Sequence, residues 1–275
     1  MKAVILAAGY GTRLERDIRE DSSQKFAHLL GVPKPLLPIR GESLVSQWMG
    51  ALAGMREIDQ VFLVTNKLFL EKFKSWACDW PVEILCDGST CNEDRLGAVA
   101  AIQLCIEHMT KNSSSPDDLL VIGGDTLFYD DFSVDKFVQS FYEKQQRTPS
   151  GGHVLCYKCS DTETSKFGIL ETNEDGMITA FLEKPGPEAT TSRWACPCCY
   201  IISRENLKLV KNFLDEKRDS PIKCRDAPGN LIQYLQSRVP LYTMEISGRF
   251  DVGGLESYKK CDFYFKRRMP LNDLV

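Results

Sequence analysis

Histidine is scarce in this chain, with three residues in 275: His28, His108 and His153. None of them has the spacing of a zinc site such as His-Glu-x-x-His, and the chain has no Gly-x-Ser-x-Gly nucleophile motif. The histidines are therefore interpreted as residues without a catalytic role. The sequence gives no indication of covalent catalysis.

The chain also lacks an apolar run of about 18 residues, the length that crosses a bilayer as a helix. Its N-terminus has no basic segment followed by an apolar one, so no secretory signal is predicted. The formal net charge of −4 argues against nucleic acid as the main partner. We therefore expect a cytoplasmic protein with neither membrane nor nucleic acid as a partner.

Cysteine, by contrast, is frequent: the chain has 11, and two clusters stand out, Cys156-Tyr157-Lys158-Cys159 and Cys196-Pro197-Cys198-Cys199. Paired cysteines of the first kind can hold structural zinc. Both clusters lie in predicted strands, however, where Cys156 and Cys159 would point to opposite faces. We interpret the cysteines as free thiols, as is usual in the cytosol.

Strands and helices alternate in the first half of the chain, which predicts an α/β fold with a parallel sheet and right-handed crossovers. The predicted strands there cover 3–7, 60–65, 82–85 and 119–122, and the predicted helices cover 43–52, 68–76 and 95–109. The second half has predicted strands at 153–157, 167–171, 178–183, 199–202 and 241–244, and predicted helices at 133–142, 204–214, 230–236 and 255–266. A turn at 173–176 predicts a hairpin, and a loop is predicted at 112–116.

The glycine-rich turn Ala8-Gly9-Tyr10-Gly11-Thr12-Arg13-Leu14 follows the first predicted strand. Glycines there let the backbone approach a ligand, and the exposed N–H groups of such a turn suit phosphate. Arg13 and the later Lys34 add positive charge. The turn is not a P-loop, because no Gly-Lys-Ser/Thr follows, and Leu14 replaces the third glycine of a dinucleotide fingerprint. An ordinary strand-to-helix turn with a surface arginine is the alternative.

Together with Pro33-Lys34-Pro35-Leu36-Leu37-Pro38, the segment Leu6–Leu14 resembles the signature of the sugar nucleotidylyltransferases, also called NDP-sugar pyrophosphorylases. The resemblance implies a Rossmann-like nucleotidyltransferase fold, with a mixed, mostly parallel central sheet and an inserted sugar-binding β-hairpin region. The long polar insert Glu15–Gly31 departs from the pattern, and we expect it to be a solvated, mobile loop or a lid.

The chain has no internal repeat and no convincing linker, so we expect a single domain over residues 1–275. The resemblance divides it into a nucleotide-binding part, 1–130, and a sugar-binding and closing part, 131–275. Some members of the family carry a C-terminal β-helix of hexapeptide repeats. No such repeat is present, and no β-helix is expected. The aromatic-rich second half leaves a homo-oligomer open.

Two aspartates resemble the metal ligands of this family, which implies Mg²⁺ as the cofactor. Asp125 follows Gly123-Gly124 after a predicted central strand, and without the resemblance it could be only a turn cap. Asp251 resembles the aspartate of a Trp-x-Asp-x-Gly-Thr motif, although Arg249-Phe250 stands in place of the tryptophan context and Gly254 in place of the threonine. A plain turn aspartate is the alternative there. Magnesium needs only one or two carboxylates when phosphate oxygens complete its shell.

Two further motifs complete the resemblance. Glu183-Lys184-Pro185 and the preceding Phe167-Gly168 resemble the family's sugar-phosphate site, in which the glutamate and the glycine orient the sugar and the lysine meets its phosphate. Gly97, in a segment predicted to open a helix, resembles the glycine that packs against the base, and a plain helix glycine is the alternative. Ala98 replaces the common threonine, so the base is left open.

The resemblance implies attack by a sugar 1-phosphate on the α-phosphorus of a nucleoside triphosphate, which releases pyrophosphate. The residues it assigns to catalysis are Arg13, Lys34, Asp125 and Lys184, with Asp125 and Asp251 on the metal. The residues it assigns to the nucleotide are Leu6, Ala8, Gly9, Gly11, Thr12, Arg13 and Gly97; those assigned to the sugar phosphate are Gly168, Glu183 and Lys184. Two alternatives stay open: a non-catalytic regulatory subunit with the same fold, and a cytidylyltransferase acting on a non-sugar phosphate such as phosphocholine.

Overall fold

A computed structural model of the chain describes residues 1–112 and 116–267. The loop predicted at 112–116 lies mostly outside the described residues, as does the end of the predicted domain after residue 267. The division of the chain at residue 130 stays a prediction. Within the described ranges, none of the helices combines the length and the apolar character needed to cross a bilayer.

Helices and strands alternate over most of the described chain. The helices are α1 (Thr12–Glu20), α2 (Leu44–Leu52), α3 (Leu70–Ala77), α4 (Ala98–Asn112), α5 (Val134–Gln145), α6 (Lys208–Glu216), α7 (Pro228–Gln236) and α8 (Leu255–Lys266). The strands of the first half are β1 (Lys2–Leu6), β2 (Pro38–Ile39), β3 (Glu42–Ser43), β4 (Gln60–Thr65), β5 (Val82–Cys86), β6 (Leu119–Gly123) and β7 (Thr126–Phe128). Those of the second half are β8 (Gly152–Lys158), β9 (Gly168–Thr172), β10 (Ile178–Glu183), β11 (Trp194–Cys196), β12 (Cys199–Ile202), β13 (Leu241–Glu245) and β14 (Arg249–Asp251).

The main sheet has the strand order β10-β9-β11-β8-β12-β6-β1-β4-β5, and β13 pairs with β8. β1 runs parallel to β4 and β6, and β4 runs parallel to β5, so the parallel sheet predicted for the first half is confirmed. β12 joins the two halves through antiparallel pairs with β6 and β8, which makes the sheet mixed, as expected. The predicted hairpin is formed by β9 and β10. A separate ribbon pairs β7 with β14.

Two apolar cores cover the two faces of the main sheet, because side chains alternate along each strand. In β1, Ile5 belongs to one core and Val4 to the other. Cys156 likewise belongs to the second core, whereas Cys159 packs against the first, as the alternation predicts. Helices α2, α3, α5 and α8 contribute to the first core, and α4, α6 and α7 to the second.

Helix α1 corrects the expectation of a loop at Glu15–Gly31, because the first part of that insert is helical. Leu14 and Ile18 are each 2% exposed and pack into the first core. Two apolar residues four positions apart bury one side of an otherwise charged helix. The charged residues between and around Leu14 and Ile18 made this short apolar pattern hard to recognise in the sequence. A second short turn, Ala27–Leu29, follows in the same insert.

The predicted helix starts are confirmed where a serine precedes the helix. Ser43 accepts a hydrogen bond from the Ser46 N–H at the start of α2, and Ser133 accepts one from the Lys136 N–H at the start of α5. The helix predicted from Arg95 instead begins three residues later, at Ala98. Gly97 has a φ of +94°, which is outside the helical region and breaks the pattern there.

His153 is fully buried in β8, with its ring 5.1 Å from the ring of Phe137. Neither ring nitrogen has a hydrogen-bond partner among the described residues. Burial lowers the pKa of His153 to about 3, with a smaller contribution from Lys144. The folded protein therefore keeps this imidazole neutral at pH values at which a free histidine is protonated.

We expect His153 to make the protein less stable in acid. The unfolded chain binds a proton there below about pH 6.5, whereas the folded chain does not until about pH 3. Between pH 7 and pH 5 this difference should lower the free energy of unfolding by about 2 kcal/mol. His153→Leu should remove that loss in urea unfolding at the two pH values. The exposed His28 provides the control His28→Leu, which should retain the loss; an equal loss in His153→Leu would contradict the prediction.

Candidate active site

A groove of about 630 Å³ runs along the edge of the main sheet at which the parallel strands β1, β5 and β6 end. Its walls contain most of the residues predicted for the site: Leu6, Ala8, Gly9, Arg13, Lys34, Gly97, Asp125, Gly168, Glu183, Lys184 and Asp251. Gly11 and Thr12 are not part of the wall; they begin helix α1. The carboxyl ends of parallel strands are where α/β folds bind ligands.

The glycine-rich turn connects β1 to α1 and aims Arg13 into the groove. Gly11 has a φ of +66° and precedes the first residue of α1. A Cβ added to Gly253 would lie 3.5 Å from Arg13 Nη1 and 3.7 Å from Asp251 Oδ1. Arg13 and Asp251 therefore both approach Gly253, although the two residues come from opposite ends of the described chain.

The ribbon of β7 and β14 brings the two predicted metal ligands together. Asp125 immediately precedes β7, and Asp251 ends β14 opposite Thr126. The Val252 N–H donates to the Asp125 carbonyl oxygen at 2.9 Å. Burial raises the pKa of the Asp125 carboxyl, Lys34 lowers it, and the nearby charge of Asp251 raises it again.

Each of these carboxylates faces a cation. Lys34 Nζ lies 3.5 Å from Asp125 Oδ2, and Arg249 Nη2 lies 3.5 Å from Asp251 Oδ2. The aspartate side chains remain 41% and 42% exposed, so both oxygen sets face the groove. Two exposed carboxylates fit a hard cation that takes its other ligands from phosphate and water. Among the described residues there is no group of three or more His, Cys, Asp or Glu side chains that could hold a metal alone.

Arg249 is a groove residue whose role was not predicted from the sequence. There it was noted only as a departure from the family motif. Its side chain is 8% exposed. It donates from Nε to the Tyr157 hydroxyl and from Nη1 to the Thr126 hydroxyl, both at 3.2 Å. Its guanidinium also lies 4.6 Å from the ring centroid of Phe167. These contacts come from three separate elements, which no local pattern could reveal.

The hairpin β9–β10 supplies Glu183 at the far end of the groove. Its side chain is 14% exposed, and Lys184 Nζ lies 3.6 Å from its Oε1. Burial raises the pKa of Glu183, and Lys184 lowers it. Lys184 has a φ of +49°, a strained conformation for a residue other than glycine.

Two glycines make room for Glu183. A Cβ on Gly168 would collide with the Phe181 ring and approach Glu183 Oε2 at 3.1 Å, and a Cβ on Gly229 would collide with the Glu183 carboxylate. Internal packing therefore demands a glycine at position 168, whatever ligand lies beside it. Gly229, in the first turn of α7, was not recognised from the sequence.

Asp226 packs against Gly97 and leaves no room for a side chain at that position. Asp226 was not recognised from the sequence. Asp226 Oδ1 accepts a hydrogen bond from the Ala98 N–H at 2.8 Å, and its Oδ2 pairs with Arg95 at 3.3 Å. A Cβ on Gly97 would lie 2.8 Å from Asp226 Oδ1. The carboxylate thus holds the start of α4, but it lies far from Gly97 in the sequence, and no motif marks it.

Cys196 and Cys198 also line the groove, between β11 and β12. Burial raises the pKa of Cys198 to about 12, and it raises that of Cys196 as well. Because the thiolate is the reactive form, these cysteines are poor nucleophiles. All 11 cysteines are free thiols in the structure.

Comparisons with known proteins identify the family and the fold of the chain. The chain matches the model of the nucleotidyl transferase family over residues 2–264. A crystal structure of UDP-glucose pyrophosphorylase complexed with UDP-glucose superposes with a TM-score of 0.69 at 21% identity, covering 97% of this chain and 99% of that one. At this identity the superposition establishes the fold, an α/β nucleotidyltransferase fold. The chain belongs to the nucleotidyl transferase family.

Curated relatives resemble the chain at somewhat higher identity, and they are longer than the chain. The bifunctional protein GlmU of Methanococcus maripaludis strain C5 is 27% identical over 255 residues, which cover 92% of this chain and 51% of that protein. Glucose-1-phosphate adenylyltransferase of Clostridium novyi strain NT is 27% identical over 273 residues, which cover 94% of this chain and 64% of that protein. The chain thus spans about half to two thirds of the length of these relatives.

The packing of Gly97 predicts a cost for any side chain there. Gly97→Ala should lower the free energy of unfolding by about 1–3 kcal/mol, because the residue has positive φ and its Cβ would press on Asp226. The control is Gly50→Ala in the exposed part of α2, where a Cβ meets nothing within 4 Å. That change should be neutral or stabilising. Equal stability of the two variants in urea unfolding would contradict the assignment.

Proposed function

We propose that this protein joins a nucleoside triphosphate to a sugar 1-phosphate, which gives an NDP-sugar and pyrophosphate. The observation that carries the proposal is the single groove that holds Asp125 and Asp251 side by side. Arg13 and Lys34 lie near this pair, and Glu183 and Lys184 lie at the end of the groove formed by β10. This is the charge pattern that two phosphate-bearing substrates need in order to meet.

The reaction needs no general base from the protein. The phosphate of the sugar is already ionised at neutral pH, and its oxygen attacks the α-phosphorus of the triphosphate while the bond to the departing pyrophosphate breaks. The protein must hold the two substrates in line and balance their negative charge. Arg13 would hold the β- and γ-phosphates, Lys34 the region of the α-phosphate, and Lys184 the sugar phosphate.

Asp125 and Asp251 would hold Mg²⁺, whose positive charge would lower the repulsion between the two phosphate-bearing substrates. Glu183 would accept hydrogen bonds from sugar hydroxyls. Its raised pKa follows first from burial, and a buried carboxylate discriminates strongly between ligands that satisfy it and ligands that do not.

Arg249 favours a sugar over phosphocholine as the second substrate. A quaternary ammonium binds best over aromatic faces with no competing cation. In this groove the guanidinium of Arg249 already lies over the Phe167 ring, 4.6 Å from its centroid. A second cation would meet its repulsion, whereas the hydroxyls of a sugar would not.

A non-catalytic regulatory subunit is the alternative from another class. Such a chain has no need of a complete set of phosphate and metal residues. The groove contains Arg13, Lys34, Asp125, Glu183, Lys184 and Asp251. The complete set therefore favours an enzyme.

The direct test is pyrophosphate release in the presence of Mg²⁺, from a grid of GTP, ATP, CTP, UTP and dTTP against common sugar 1-phosphates and phosphocholine. Release that depends on one sugar 1-phosphate would support the proposal and name the substrates. Release with phosphocholine alone would show that the second substrate is phosphocholine and not a sugar 1-phosphate. Binding of a triphosphate without release across the grid would favour the regulatory subunit.

Asp125→Asn should abolish turnover while the protein stays folded, because the change removes a charged metal ligand and almost no volume. The measurement is the rate of pyrophosphate release beside the urea midpoint. Asp131→Asn is the control: Asp131 bonds Ser247 at the surface and does not line the groove, so it should keep the wild-type rate. A near-normal rate in Asp125→Asn would refute the metal assignment.

Arg13→Ala and Lys184→Ala should separate the two substrates. We expect Arg13→Ala to raise chiefly the KM for the triphosphate, and Lys184→Ala chiefly the KM for the sugar 1-phosphate, by about tenfold or more, because each removes a charged hydrogen bond to one substrate. Steady-state kinetics with each substrate varied in turn provide the measurement. The same KM pattern in both variants would contradict these roles.

A further inference from the structure

The strand order gives the groove a direction. β5 lies at one edge of the main sheet and β6 near its middle, and β9 and β10 lie at the other edge. Asp87 directly follows β5, Asp125 follows β6, and Glu183 ends β10, and all three line the groove. If the sugar phosphate lies at Glu183 and the reacting phosphates at Asp125, as proposed above, the base of the nucleotide extends toward Asp87.

The charges at the β5 end suit a neutral ligand group. Arg95, which lines the groove there, is paired with Asp226 at 3.3 Å. Asp87 also lines this end, and the pairing with Asp226 offsets the charge of Arg95, so the end suits a base with N–H groups better than a phosphate.

The carboxylate of Asp87 is held by one of its oxygens only. Oδ1 accepts hydrogen bonds from the Ser89 N–H at 2.9 Å and from the Ser89 hydroxyl at 2.8 Å. Tyr10 donates from its hydroxyl to the same Ser89 oxygen at 2.8 Å, which fixes the serine in turn. Oδ2 of Asp87 accepts no hydrogen bond from the described residues. The groove wall thus offers a positioned, acceptor-only oxygen to whatever lies at this end.

The bases differ in what they can donate to such an oxygen. Guanine has a ring N–H beside an exocyclic amino group, so two neighbouring donors face the same way. Uracil and thymine have a single N–H between two carbonyl oxygens, which a carboxylate repels. Cytosine and adenine have an amino group beside a ring nitrogen that is itself an acceptor.

We infer that Asp87 reads the base of the triphosphate and selects guanine. The inference rests on the proposed function, and it adds to that function the identity of the nucleotide. Oδ2 has two free lone-pair sites, so it can accept from both neighbouring donors of guanine. Such a pair of hydrogen bonds to a base discriminates by about ten- to a hundredfold. Cytosine and adenine should rank between guanine and the two carbonyl-flanked bases.

The test is the Kd of GTP, ATP, CTP, UTP and dTTP, measured by titration calorimetry on the full chain. We expect GTP to bind about ten- to a hundredfold more tightly than UTP or dTTP. In Asp87→Asn the amide oxygen can still accept from the Ser89 N–H, while its NH₂ replaces the free oxygen. This variant should lose the preference for GTP and gain affinity for UTP and dTTP, whose carbonyls accept hydrogen bonds.

Asp94→Asn is the matched control. Asp94 lies in the same loop and accepts hydrogen bonds from the Thr90 and Cys91 N–H groups, but it does not line the groove. Its replacement should leave the order of the five affinities unchanged. An equal reordering by both variants would assign the effect to the loop and overturn the role of Asp87.

Other outcomes separate the inference from the proposed function. A wild-type preference for UTP or dTTP, or an order that Asp87→Asn leaves unchanged, overturns the inference. The proposed function survives that result if pyrophosphate is still released with a sugar 1-phosphate. If the protein binds GTP selectively but releases no pyrophosphate, the role of Asp87 is retained and the proposed enzymatic function is rejected. Failure to bind any of the five triphosphates rejects both.

Discussion

The repulsion between two carboxylates is the constraint on which the groove depends. Asp125 and Asp251 line one groove; burial raises the pKa of the Asp125 carboxyl most, and the nearby charge of Asp251 raises it further. The fold meets this constraint in two ways. The β7–β14 ribbon fixes the backbone, with a bond from the Val252 N–H to the Asp125 carbonyl oxygen. Lys34 and Arg249 then place one cation against each carboxylate. Without the ribbon, or without Lys34 and Arg249, the two carboxylates would face each other without compensating charge.

The same pairing explains why the wall of the groove is rigid. Arg249 is nearly buried, yet it donates hydrogen bonds to Tyr157 on β8, to Thr126 on β7 and to Asp251 on its own strand, so two other strands fix its position. Glu183 packs against Gly168 and Gly229, where an added Cβ would meet its carboxylate, and Lys184 Nζ lies 3.6 Å from its Oε1. Charged groups that are fixed before a substrate arrives need not reorganise during a reaction. Rigidity here is a result of packing, and it was not visible in any motif.

Local sequence patterns were sufficient to predict the parallel half of the sheet and the site residues that follow its strands. Arg13 and Asp125 belong to contiguous motifs at strand ends, and the structure brings them to one groove. Partners distant in sequence could not be predicted in this way. Asp226 meets Gly97 only because α7 folds back over the start of α4. Helix α1 was missed because its buried side consists of only Leu14 and Ile18 in a charged stretch. Local composition and tertiary packing conflicted there, and packing decided the outcome.

The ribbon of β7 and β14 also has a consequence for the order in which the protein is made. Its two strands are separated by more than a hundred residues, and Asp17 accepts a hydrogen bond from the Leu255 N–H in the same region. On the ribosome, the parallel pairs of the first half have all of their residues available once β6 has emerged. The groove is complete only after Asp251 has left the exit tunnel. A chain that stops before that point would keep Asp125 but lack its counterpart, so an incomplete product of synthesis would carry only part of the groove.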